Sequence, residues 1–153
     1  MRVFESNFLR ADFNREASLM LFSWASTNSM SEADMKDSFS KQLELINKYQ
    51  PFAALEDLTD FHYHMDINAV RWLRQNFLPA YDKSSLKRTL FLMNSQERDC
   101  RIVEKLFSND AHIRTKVVSD MQEAMEWLTE HSIGEEANIY APDLSNGRKW
   151  ELV

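Results

Sequence analysis

Hydrophobic and polar positions change their period several times along the chain, and each change marks an element. Residues 3–12 and 18–25 read as strands with Asn14, Arg15 and Glu16 between them, which predicts an antiparallel hairpin. In the second strand Leu19, Leu21 and Ser23 alternate with Met20, Phe22 and Trp24. Both faces are therefore largely apolar, as expected of an inner strand covered on two sides. Ser31 then opens a helix: it can cap, Asp34 stands third, and Met30 can staple to Met35. Met35, Phe39, Leu43 and Ile46 recur at helical spacing until Pro51 ends the run by removing an amide hydrogen.

The same alternation continues to the C-terminal side. Residues 52–55 form a short apolar run, read as an inner strand, and Asp66 can cap a second helix reaching about Phe77. That helix is expected to face Ile67, Val70, Leu73 and Phe77 inward, with Pro79 bending or stopping it. Residues 88–94 form the next strand, and Asn94 with Glu97 makes a capping-box pattern for a helix carrying Ile102, Val103, Leu106 and Phe107. Over residues 112–118, Ile113, Thr115 and Val117 stand opposite Arg114 and Lys116, which suits an exposed edge strand. Asp120 and Glu123 start a last helix with Ala124, Trp127 and Leu128 inward and His131 in its last turn, and Gly134 stops it.

This order predicts an α/β fold: a mixed sheet of about five strands, with an antiparallel N-terminal hairpin and parallel inner strands, and about four helices. One domain over residues 1–133 is expected, followed by a tail over 134–153. The tail is polar except for Ile139, Tyr140, Leu144, Trp150 and Leu152, and is expected to be docked or partly disordered.

Composition narrows the classes. A chain of 153 residues can remove roughly 70% of its unfolded surface from water without a covalent staple. Its single cysteine, Cys100, excludes an intramolecular disulfide. No stretch has signal-peptide or membrane-span character, so a cytoplasmic protein is the expectation. Eighteen Lys and Arg against twenty-four Asp and Glu give a formal charge of −6, which repels nucleic-acid backbones. Two glycines leave little material for a phosphate-binding loop. The expected partners are proteins, a second copy of the chain, or an apolar small molecule; no nucleic acid, no membrane span and no cofactor is implied.

With its elements in this order, the chain from about residue 3 to 131 resembles the SpoIIAA-like proteins of the STAS superfamily, whose type member is an anti-sigma-factor antagonist. The resemblance rests on the opening hairpin, on FAALEDLTDF over residues 52–61, on LKRTLFLM over 86–93, and on MQEAMEWL over 121–128. It implies a SpoIIAA-like fold and a regulatory, protein-binding role. Phospho-regulated members carry a phosphorylated serine at the start of the helix after the buried strand. Here that stretch contains His64, Met65, Asp66, Ile67 and Asn68, so no residue inherits that switch. Asp66 is read as a helix N-cap worth ~1 kcal/mol, or as a fixed negative charge in the place of the phosphate.

The candidate chemistry lies in the same segment. Asp57, Asp60, His62, His64 and Asp66 follow the strand at its carboxyl end, where open α/β sheets bind ligands. His62 and His64 are two apart and point to one side of an extended segment, yet no third zinc ligand is identifiable by spacing. Glu56 and Asp57 point to opposite faces of the strand, and neither has an assigned nucleophile or oxyanion donor. Cys100 sits near a helix start, but Glu97 and Asp99 oppose a reactive thiolate. Trp72 falls off the inward stripe of its helix and is expected to border a groove or a dimer contact.

The expected function is therefore a non-enzymatic STAS-like regulatory or protein-binding module that self-associates. Asp57, Asp60, His62, His64, Asp66 and Trp72 are its candidate recognition residues. A small-molecule or lipid-binding module with an apolar pocket is the alternative, and a metal-dependent enzyme comes third.

Overall fold

In a computed structural model the chain is described over residues 1–109 and 112–130. The expected roles of His131 and Gly134, and the tail over 134–153, lie outside these residues. The order is β1 (Arg2–Glu5), β2 (Leu9–Asn14), β3 (Leu19–Trp24), α1 (Glu32–Tyr49), β4 (Ala53–Asp57), α2 (Ile67–Asn76), α3 (Leu78–Asp82), β5 (Arg88–Leu92), α4 (Arg98–Phe107), β6 (Arg114–Val118) and α5 (Met121–Glu130). Six strands form one sheet in sequential order. The first three pair antiparallel, and β3 to β6 run parallel.

Sequential order decides where the helices lie. Right-handed crossovers that always advance in one direction put every crossover helix on the same face. The main core accordingly unites Met20, Phe22 and Trp24 of β3 with buried residues of α1, α2, α3 and α4. The alternate positions, Leu19, Leu21, Leu55 and Leu90, face a second cluster completed by Ala124, Met125 and Leu128 of α5. The double apolar character of β3 is thus used on both sides.

The element count exceeds the expected five strands and four helices for two local reasons. Residues 3–12 are a hairpin of their own: Ser6 Oγ accepts from the Phe8 and Leu9 amides at 3.2 and 3.1 Å and folds the chain back. Past Asn76, Pro79 sits in the first turn of the short α3 and redirects the chain. Two capping patterns behave as expected. Ser31 and Asp34 form a reciprocal capping box on α1, and Asp66 Oδ1 accepts from the Ala69 amide at 2.8 Å.

Asn94 does not cap α4. Its Oδ1 accepts from the Gln96 amide at 2.9 Å and closes a turn, so the helix begins at Arg98, with Glu97 as an N-cap lacking a side-chain bond. Ile67, expected inward, is 70% exposed. It occupies the first helical position, where the chain is still leaving the surface loop, and inward packing starts at Ala69 and Leu73. Among the described residues the last strand is an edge, as expected: β6 pairs only with β5 there, and Arg114 is exposed.

Candidate functional site

The parallel strands end at one rim of the sheet, and residues 58–66 form the longest irregular connection on it. Burial organises this loop at spacings of three and four residues, unlike the alternation of a strand. Leu58, Phe61 and Met65 are fully buried, whereas Asp60, His62, His64 and Asp66 are exposed. Three apolar anchors thus hold a polar crest outward.

Hydrogen bonds from distant parts of the chain fix the anchors. The Leu58 amide donates to Leu92 O at 2.8 Å, continuing the β4–β5 ladder by one residue. The His62 amide donates to Thr27 Oγ1 at 2.6 Å, and Thr27, from the connection between β3 and α1, is itself buried. The Met65 amide donates to Asp99 Oδ1 at 2.9 Å. Arg98 Nη1 donates to the same oxygen at 2.7 Å, and His64 Nδ1 stands 3.8 Å from it. Between these points the Cys100 thiol donates to Leu58 O at 3.4 Å and Phe61 O at 3.6 Å. A loop tied on both flanks to neighbouring elements holds one shape.

Cys100 therefore acts as a buried donor. Burial, then Glu97 and Asp99, push its thiol up to about 12, so it is neutral and unreactive at physiological pH. Tyr63 is half-buried beside the start of α1, and burial, Asp66 and Glu32 raise its phenol.

The six candidate residues do not converge on a single point. Asp57 and Asp60 open onto a cleft of about 310 Å³ shared with Glu5, Ser6 and Arg10 of the first hairpin. His64 turns toward Asp99, with its side chain 73% exposed. Asp66 is committed to the helix start through Ala69. Trp72 is half-buried and packs against the main core. Among the described residues no group of three His, Cys, Asp or Glu side chains is placed to hold a metal ion.

On the other side of the loop, a cleft of about 510 Å³ lies between the ends of β5 and β6, lined by Thr59, Asn94, Ser95 and Ser119 among others. It lies where successive connections part, α4 joining the main core and α5 the opposite face. Such a divergence opens a crevice at the carboxyl ends of a sheet. The spacing of Asn94, Ser95 and Ser119 gives no local signal of this crevice, because only the switch of faces brings them together.

Among the acidic residues of this segment Glu56 alone is buried, at 1% exposed. Its Oε1 accepts from Gln42 Nε2 at 3.1 Å and from Trp24 Nε1 at 3.3 Å. Burial, the largest influence, pushes its carboxyl up to about 7; the two hydrogen bonds oppose the shift and Asp57 adds to it. Glu56 lines none of the clefts just described, which leaves it a core residue.

The loop ties have a measurable consequence. Asp99→Ala removes the acceptor for the Met65 amide, and that buried group then lacks its partner. Amide exchange at Met65 is expected to accelerate at least about tenfold, equivalent to ~1.4 kcal/mol of local opening, with the sheet amides of Leu55 and Leu90 unchanged. Equal acceleration throughout the protein would show that Asp99 supports global stability instead.

Compared with protein-family models, curated proteins and solved structures, the chain matches none of them.

Proposed function

We propose that this chain is a non-enzymatic, STAS-like module that recognises a protein partner or a second copy of itself, using residues 57–66 and the start of α2 as a preformed surface. The observation that carries this reading is the pinned loop with Ile67 at its end. A lone exposed aliphatic residue is ordinary, but Ile67 and the terminal Met1 are the only large, strongly exposed hydrophobics among the described residues. Ile67 adjoins the crest of His62, His64 and Asp66. An apolar centre with a polar rim on a rigid support has the composition of a protein-recognition patch.

The SpoIIAA-like assignment belongs to the same proposal and is supported by the element order from the first hairpin to α5. Asp66 fits a constitutive role, since an acidic side chain already occupies the helix start. The carrier alternative requires an apolar cavity within the aromatic crossover. That volume is occupied: Phe77 meets Tyr81, Phe107 and Phe39 at centroid distances of 5.4, 5.0 and 5.4 Å.

Size-exclusion chromatography with light scattering tests the self-association branch. The proposal expects the wild type to shift toward dimer with concentration. Ile67→Asp is expected to remain monomeric with unchanged circular dichroism, because a charge at an interface centre has no partner there. A dimer that survives Ile67→Asp intact would place its interface elsewhere.

A further inference from the structure

A second surface has a different chemistry from the loop. Between α2–α3 and α4 runs an open groove of about 500 Å³ whose apolar part comes from Val70, Leu78, Ile102 and Leu106. Val70 and Arg74, four apart on α2, and Leu78 at the start of α3 form one flank, and Ile102, Lys105 and Leu106 of α4 the other. Trp72 lies roughly 200° round α2 from Val70 and so belongs to the opposite flank.

Arg74 and Lys105 stand exposed at the margins, and neither makes an ion pair or side-chain hydrogen bond among the described residues. Counting Asp82 at the α3 end, the lining among the described residues carries two positive charges and one negative, a local excess of +1 in a chain of formal charge −6. Apolar walls reward an aliphatic or aromatic body, and two uncommitted cations reward an anion attached to it. The volume falls within the roughly 300–1,000 Å³ of small-molecule sites.

We propose that this groove binds an amphiphilic carboxylate, a small organic acid with a medium-length apolar body, its chain against Val70, Ile102 and Leu106 and its carboxylate between Arg74 and Lys105. This site is independent of the recognition loop and holds whether or not that reading does. Lys supplies a mobile point charge and Arg a fork that can hold both carboxylate oxygens. Together they discriminate an anion from a cation of equal apolar length.

The test uses sodium decanoate as the probe, below its micelle concentration, with decyltrimethylammonium as the matched cation. Decanoate is expected to shift the backbone amide resonances of Val70, Arg74, Ile102 and Lys105 saturably, and the cation to leave them unmoved. Reversing both charges with Arg74→Glu and Lys105→Glu should weaken decanoate by about tenfold or more. Lys105→Gln alone should weaken it less, and serves if the double variant fails to fold. The proposal is overturned if the shifted amides lie elsewhere, if both amphiphiles bind equally, or if the charge variants bind decanoate unchanged. It is likewise overturned if an acidic amphipathic peptide occupies the groove while decanoate does not, which would make the site a protein-docking groove.

Discussion

Phe107→Ala is expected to destabilise the fold by about 3–5 kcal/mol, the largest effect of any single substitution considered. Phe107 is fully buried at the end of α4 and touches four other rings. Phe77 lies at 5.0 Å, Tyr81 at 4.8 Å, Phe91 at 5.8 Å and Phe39 at 6.2 Å between centroids. Those partners come from α2's C-cap, α3, β5 and α1, so one side chain ties four elements to α4. Removing it loses the burial of a large ring and leaves a cavity that the rigid sheet cannot close. Against a total stability of about 5–15 kcal/mol, the variant should show a much lower urea midpoint.

The same variant examines whether the interior is full. Small apolar probes such as benzene enter a dry engineered cavity, so benzene should raise the melting temperature of Phe107→Ala and leave the wild type unaffected. A loss below about 1.5 kcal/mol, or benzene binding by the wild type, would mean that the crossover already contains usable space. That result would favour the carrier alternative.

Glu56 governs the second large effect, a dependence of stability on pH. A carboxyl pushed up to about 7 in the folded protein, against 4.5 for an unperturbed glutamate, favours folding only while protonated. Its contribution is fully present below about pH 4.5 and is lost as pH rises toward 7, a change of about 3 kcal/mol. The geometry agrees with a neutral carboxyl. Gln42 Nε2 donates to Glu56 Oε1, while Gln42 Oε1 and Glu56 Oε2 are both buried without a partner among the described residues. A neutral carboxyl carries its proton on Oε2, since Oε1 already accepts two hydrogen bonds.

Glu56→Gln keeps the shape and replaces that proton with a permanent amide donor. In urea titrations at pH 5 and pH 8, the wild type should lose about 2–3 kcal/mol more than the variant. The difference between the two proteins isolates Glu56 from every other ionisable group, which both share. Parallel pH profiles for wild type and variant would contradict the assignment.

Much of this architecture was legible because it depends on local chemistry. The alternation in residues 19–24 announced a strand buried on both faces, and Ser31 and Asp66 announced their helices through side-chain caps. The misreadings were local too. Nothing in Ser6, Asn7 and Phe8 signals a turn through glycine or proline, so β1 and β2 read as one strand. Asn94 offers the same side-chain oxygen to a turn as to a helix, and only the backbone decides which it closes.

The candidate site was legible as a segment but not as a shape. Its exposed residues are contiguous, which made residues 57–66 visible. The groups that hold it in place, Thr27, Asp99 and Cys100, lie 35, 34 and 42 residues from their partners. No spacing rule reaches that far; pairing of β3 with β4 and packing of α4 bring them together. Ile67 was misjudged because helical periodicity assigns an inward face to every turn, including a first turn that the loop still holds at the surface.

The central claim is that this pinned rim is where the protein meets its partner. The most direct measurement places a photo-crosslinking amino acid at position 67, or at exposed position 87 before β5 at the opposite end of the strands, and irradiates cells of the protein's own host. The account predicts a discrete protein adduct, hetero- or homotypic, from position 67 and none from position 87. Adducts from position 87 alone, or identical adducts from both positions, would contradict it.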